Sequence, residues 1–165
     1  MAIDLIREIR QTRLYTEEML KDVPTDDWFQ QPAEGVTHVA WQVGHLAYAQ
    51  YSLALRRIRG EKVEDSKLIS TEFRQLFGKG SEPTPDPTSY PTPAEIREVF
   101  DRVHQQVLCE SGEWSEELLS EASTDPPHPM FDTKMGSLCW SVQHEFIHAG
   151  QIGLLRRLFG SSPLR

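Results

Sequence analysis

Only two cysteines, Cys109 and Cys139, occur in 165 residues, and neither belongs to a C-x-x-C pair. That is too few for a secreted disulfide framework, and a reducing cytoplasm is the compartment expected. Long apolar runs are missing too, since nothing approaches the roughly 18 to 20 residues of a membrane span. The first stretch carries Asp4, Arg7, Glu8 and Arg10 where a signal peptide would carry an apolar segment, so none is expected. Positive charge is in the minority, with 17 Lys and Arg against 25 Asp and Glu and a formal net charge of -8. Nucleic acids are held by clustered cations that release counterions, so a nucleic-acid partner is not expected. The basic groups Arg56, Arg57 and Arg59, and Arg156 and Arg157, sit where cations complement a helix C-terminus. No G-x-S-x-G elbow, internal repeat or sustained period-two alternation is present.

What the chain does have is helical periodicity. Its length suits one domain, spanning residues 1–165, with room for a proper core. Ile3, Ile6, Ile9, Leu14 and Leu20 recur among charges and predict an amphipathic first helix from Ala2 to Asp22, ended by Pro24. Thr25 is a candidate N-cap for one short turn. Thr37 reads as the N-cap of a second helix that runs to the stop at Gly60. From Glu61 to Pro93 the periodicity fades, apart from a short helix at Thr71 to Phe77. Pro83, Pro85, Pro87, Pro91 and Pro93 then forbid a continuous helix or a central strand, so this Pro-rich segment is a long crossover or a lid. Thr92-Pro93-Ala94-Glu95 is a helix start with capping-box spacing, and Ile96, Val99, Phe100, Val103 and Leu108 give the third helix its apolar stripe. A short helix at Ser115 to Leu119, a break at 125–130, an extended piece at Met130 to Thr133 and a last helix complete the chain. The architecture expected is all-α, a four-helix bundle with a long Pro-rich crossover between helices two and three.

The densest chemistry lies in Ser137 to Gly160. His144 and His148 stand four residues apart, so on a helix they are about 40° apart around the axis and one turn apart along it. Two imidazoles that share a face suit a divalent cation, which removes the repulsion they would feel when protonated. The string His144-Glu145-Phe146-Ile147-His148 also matches the H-E-x-x-H of zinc peptidases. A peptidase needs a third ligand, however, and residues 149–165 contain no His, Asp, Glu or Cys. Gln151 and Leu154 stand where a metzincin would have Gly and His. The third ligand must come from upstream, and the second helix offers His38 and His45. His104 and His128 lack a partner at helical spacing. Cys139 lies about 140° off the His144 face. Gln151 shares the His144 and His148 stripe, where its amide would orient a ligand or bridge two helices. Trp41 and Trp140 read as core.

Trp41 to Leu46, WQVGHL, together with His144 to Ile152, HEFIHAGQI, resembles the DinB-like (DinB/YfiT) superfamily of small metal-binding four-helix bundles. The resemblance implies that a histidine before a leucine on helix two and an H-x-x-x-H pair on the last helix hold a divalent metal. Carried onto this sequence, those ligands are His45, His144 and His148. The resemblance also implies a homodimer. Three imidazoles leave open coordination positions and do not choose between zinc and nickel.

Glu145, about 100° round from His144, is a candidate proton-transfer group. The expected function is that of a metal-dependent enzyme, a hydrolase or a thiol-dependent transferase, that acts on a small electrophilic molecule with a low-molecular-weight thiol as possible cosubstrate. The alternatives are a metal-binding or stress-response protein without turnover and, last, a zincin-like peptidase.

Overall fold

The structure is a computed structural model that describes residues 2–124, 127–162 and 164, with side chains described from residue 4 onward. Among the described residues, seven helices and short turns make up the ordered elements, and extended pairing is limited to the isolated bridges Ala122 to Thr133 and His128 to Phe131. The helices are α1 (Ala2–Leu20), α2 (Val39–Tyr51), α3 (Asp65–Leu68), α4 (Thr71–Phe77), α5 (Pro93–Glu110), α6 (Glu116–Ser120) and α7 (Lys134–Leu158). Residues 125 and 126, in the expected break before α7, and the side chain of Ile3 lie outside the described set.

The cap at α5 forms as the sequence predicts. Thr92 accepts from the Glu95 N–H while the Glu95 side chain accepts from the Thr92 N–H, with Pro93 in the first turn. Two other starts differ by a residue. The N-cap of α2 is His38, whose Nδ1 accepts the Trp41 N–H at 3.1 Å. An imidazole nitrogen here does what the Thr37 hydroxyl was expected to do. Pro24 precedes the 3-10 turn Thr25–Asp27, so Thr25 lies inside it.

Helix α2 also does not continue uniformly to Gly60. It widens into a π turn at Ser52–Arg56 and resumes at Arg57–Arg59, where Gly60, at φ 81 and ψ 171, takes an extended positive-φ conformation open to glycine and ends it. Ser137 donates to the Leu53 carbonyl inside that π turn at 2.7 Å. Thr124 donates to the carbonyls of Arg56 and Arg57, so the last carbonyls of α2 are satisfied from the α6–α7 connection.

Four helices form the bundle. Side-chain contacts between α1 and α7 advance together, Arg13 with Glu145 and then Tyr15 with Phe146, so these helices run parallel. Gln50 with His104 and Arg59 with Glu110 make α2 and α5 parallel as well. Gln42 with Gln151 and Leu53 with Ser137 run in opposite senses, so α2 and α7 are antiparallel. Parallel neighbours cannot be joined by a tight turn. The long segment between α2 and α5 is the required crossover, and α3 and α4 fold within it. Its Pro-rich part is held by Tyr90, which packs on Phe29, His38 and Phe77. The core runs from Leu5 and Ile9 through Val43, Leu46, Phe77, Phe100 and Leu138 to Ile152 and Leu155.

No described helix is long and apolar enough to cross a membrane.

Candidate metal centre

His45 stands on α2 beside Gly44, and the glycine is a condition of the site. A Cβ at Gly44 would collide with the Phe77 ring. Without one, the end of α4 closes onto α2 and the Phe77 carbonyl reaches His45 Nδ1 at 2.7 Å. A carbonyl only accepts, so Nδ1 carries the proton and Nε2 keeps its lone pair.

His148 is held in the same way from another direction. Its Nδ1 lies 2.5 Å from Gln42 Oε1, while Gln42 Nε2 donates to Gln151 Oε1 at 2.8 Å and to Thr37 Oγ1 at 3.1 Å. The amide is thereby oriented with its oxygen towards the imidazole. Again Nε2 is left as the donor atom.

His144 completes the group. One ligand atom from each of His45, His144 and His148 lies within 4.8 Å of the others. The ring centroids are 4.7 Å apart for His45 and His148 and 4.4 Å for His144 and His148.

Burial decides the charge of this cluster. Desolvation, with His45 and His128 nearby, pushes the His144 pKa down to about 4. Desolvation, with His144 and His45, pushes His148 to about 3. His45 is also lowered by desolvation, against a smaller opposing effect of its bond to Phe77. At neutral pH all three are uncharged bases. The donors fit a divalent ion: neutral nitrogens, two of them fixed in tautomer by a partner on the far ring nitrogen, and no ammonium or guanidinium in the group.

Aromatic rings wall the centre. Trp41 stacks on His45 at 4.6 Å and 9°, and its Nε1 donates to Ser81 Oγ at 2.9 Å. Trp140 lies 6.3 Å from His144, and His128 lies 6.2 Å from Trp140. Both tryptophans read as core from sequence, and both stand beside the histidines, half-buried.

Other candidates separate from the group. His38 is fully buried and packs edge-on against Phe29 and Tyr90, away from His45 by two turns of helix. His104 bonds Gln50 inside the bundle. Cys139 is half-buried against the core.

The sequence offers Glu145 for proton transfer. Its carboxylate instead lies in the bundle interior, where Oε1 accepts from Arg13 Nε at 2.8 Å and Thr16 Oγ1 at 3.1 Å, and it is not in the metal-ligating group. The angular offset from His144 puts it on the core side of α7. Gln151 sits where the stripe argument puts it, but it acts through Gln42, which sequence reasoning missed along with Arg13 and Phe77. Gln42 lies three residues before His45, and that spacing was the available signal. Arg13 and Phe77 gave none.

The sequence model of the DinB superfamily matches residues 8–152. No curated protein matches the chain. Among solved structures, the crystal structure of a conserved protein from Enterococcus faecalis has a similar fold, with a TM-score of 0.70 and 15% sequence identity over 93% of this chain and 94% of that one.

Proposed function

The chain belongs to the DinB superfamily, and from that premise we propose that it is a cytoplasmic, single-domain metal-dependent enzyme that acts on a small electrophilic molecule, with His45, His144 and His148 as ligands of zinc or nickel. The observation that carries the reading is the meeting of three neutral imidazoles whose donor atoms lie within 4.8 Å of one another. Uncharged bases crowded in a desolvated groove gain most from a cation. Bound there, a divalent ion would supply a Lewis acid that lowers the pKa of water or of a thiol towards neutrality.

The chain's own residues do the rest. Phe77 and Gln42 hold two of the imidazoles in the ligating tautomer. Trp41 covers one face of His45 and limits water there. His128 accepts the Met130 N–H on Nδ1, which leaves an Nε2–H beyond Trp140 to donate to an anionic group on a substrate. Glu145, occupied by Arg13, takes no proton in this reading, which removes the base that a zincin-like peptidase requires.

The nucleophile in this reading is either water or a small thiol cosubstrate, since neither Cys109 nor Cys139 belongs to the converging group. Homodimerisation belongs to the same proposal. Phe146, Ile147, Leu154 and Leu158 on α7 and Leu14 on α1 remain exposed, an apolar surface that a second copy would cover.

Elemental analysis should find one metal per chain, lost in His45→Ala. Cobalt-loaded protein titrated with small thiols should develop a sulfur-to-metal charge-transfer band. If no thiol gives the band and the cobalt protein hydrolyses activated esters in a His148-dependent way, the hydrolase form is correct. Absence of both turnovers from stoichiometrically loaded protein would leave a metal-binding protein without catalysis. Light scattering should give twice the 18.9 kDa chain mass; a monomer at micromolar concentration rejects the dimer.

A further inference from the structure

One buried side chain away from the histidines ties the four bundle helices together. Arg13, on α1, is 5% exposed and donates to each of the other three bundle helices. Its Nε reaches Glu145 on α7 at 2.8 Å, its Nη1 the Phe100 carbonyl on α5 at 3.1 Å, and its Nη2 Gln50 on α2 at 2.8 Å. The guanidinium lies 3.4 Å from the centroid of the Phe100 ring. Gln50 passes the connection on to His104 at 3.1 Å, and Thr16 adds a second donor to the Glu145 oxygen. A single rigid, planar fork therefore fixes the bundle helices to one another at one level.

Two of those ties bear on the histidines. Glu145 is the residue after His144, and Gln50 is five residues after His45, both on the core-facing sides of helices whose outer sides carry the ligands. A helix rotates as a unit, so fixing Glu145 fixes where His144 and His148 point. Gln50 does the same for α2 and His45. Direct hydrogen bonds cross the α2–α7 groove from Gln42 to Gln151 and from Ser137 to the Leu53 carbonyl, while the apolar side chains between the helices are compatible with many small rotations and slips. Directional, charge-assisted hydrogen bonds are compatible with few.

The geometry points to Arg13 as a positioning residue for the metal centre: through Glu145 and Gln50 it holds α7 and α2 at the relative rotation and height that bring His45, His144 and His148 within reach of one ion. This rests on the metal-binding reading above. It also assigns the glutamate of the H-E-x-x-H string a role in aiming the flanking histidines from the core, in place of chemistry at the metal.

The test uses two variants, because a lone Arg13 substitution strands a buried carboxylate and can unfold the chain. Arg13→Met with Glu145→Met replaces the pair by apolar groups of similar length, and Gln50→Met cuts the α2 tie together with the Gln50–His104 bond while leaving Arg13–Glu145 intact. Circular dichroism and urea unfolding establish that each variant folds. Cobalt titration then gives the dissociation constant and the ligand-field spectrum, which reports ligand number and geometry independently of activity and of stability.

The expected result is a folded double variant that binds cobalt about 10- to 100-fold more weakly, the range for lost support behind metal ligands, with a shifted ligand-field spectrum, and a smaller change of the same kind in Gln50→Met. A folded double variant or a folded Gln50→Met with wild-type affinity and spectrum overturns the inference and leaves the metal assignment standing. A wild-type chain that takes up no cobalt overturns the metal assignment itself, and this inference with it.

Discussion

Residues 144 and 145 are neighbours on one helix and belong to two opposite kinds of polar cluster. On the outer side of α7, His144 joins His45 and His148, three groups of the same kind that each bring a ring nitrogen within 4.8 Å of the others. On the inner side, Glu145 joins Arg13, Thr16 and Gln50, groups of complementary kind that satisfy one another. A self-satisfied cluster needs nothing more and reads as structure. A cluster of like bases offers its nitrogens to a cation and reads as a site. Complementarity within the group, more than burial, separates the two, since His148 and Glu145 are buried to a similar degree, 8% and 4% exposed.

The sharpest way to break this contrast is to remove one member from each side. Glu145→Ala leaves the Arg13 charge buried without its partner, which should cost about 3–5 kcal/mol of stability as measured by urea unfolding of metal-free protein. His148→Ala in the same assay should cost far less, because it relieves crowding instead of stranding a charge. If the two losses are equal, the distinction fails.

Metal should act on the outer cluster alone. Zinc held free at 100 times its dissociation constant should stabilise the wild-type chain by about 2.7 kcal/mol, seen as a rise in calorimetric Tm. The rise should vanish in His45→Ala and persist in Gln50→Met at higher zinc.

Between the two clusters in size are the groups that aim ligands. Gln42→Met removes the acceptor behind His148 and should weaken zinc binding about 10- to 100-fold, by competition with a chelating dye. Gln151→Ala, one bond further away, should give a smaller loss, and an equal loss would mean that Gln151 meets the ion directly.

The last contrast concerns acid. His38 and His104, buried outside the site, have pKa values pushed down by desolvation to about 4 and about 3. Below the ordinary value near 6.5 the unfolded chain binds protons that the folded chain refuses, so stability is full above that pH and falls as pH drops towards 4. Each group adds a slope of up to about 1.4 kcal/mol per pH unit. His104→Gln should flatten the urea-midpoint curve between pH 6.5 and pH 4; an unchanged curve would mean that His104 is charged in the fold.

Much of this was legible in the sequence because it depends on local rules. The capping box at Thr92, the proline-enforced crossover and the i, i+4 histidine pair each follow from backbone geometry within a few residues, and the structure has all three. Gly44 beside His45 was legible only in retrospect, since a helical glycine announces a close approach without saying by what. Glu145 shows where helical spacing stops being informative. An offset of about 100° from a ligand stripe places a side chain at the edge of two faces, and which face takes it depends on the helix packed there.

The sequence by itself determined the main helices and the candidate ligands, because hydrogen-bonding capacity, proline geometry and helical periodicity are properties of short stretches; it did not determine the π turn of α2, its His38 cap or the short helix α3. Only the tertiary structure decided that α1 brings a guanidinium to Glu145, that α4 brings a carbonyl to His45, and that Gln42 turns its oxygen to His148. Those partners are separated by 132, 32 and 106 residues. No periodicity reaches so far along the chain; the packing of whole helices sets such meetings.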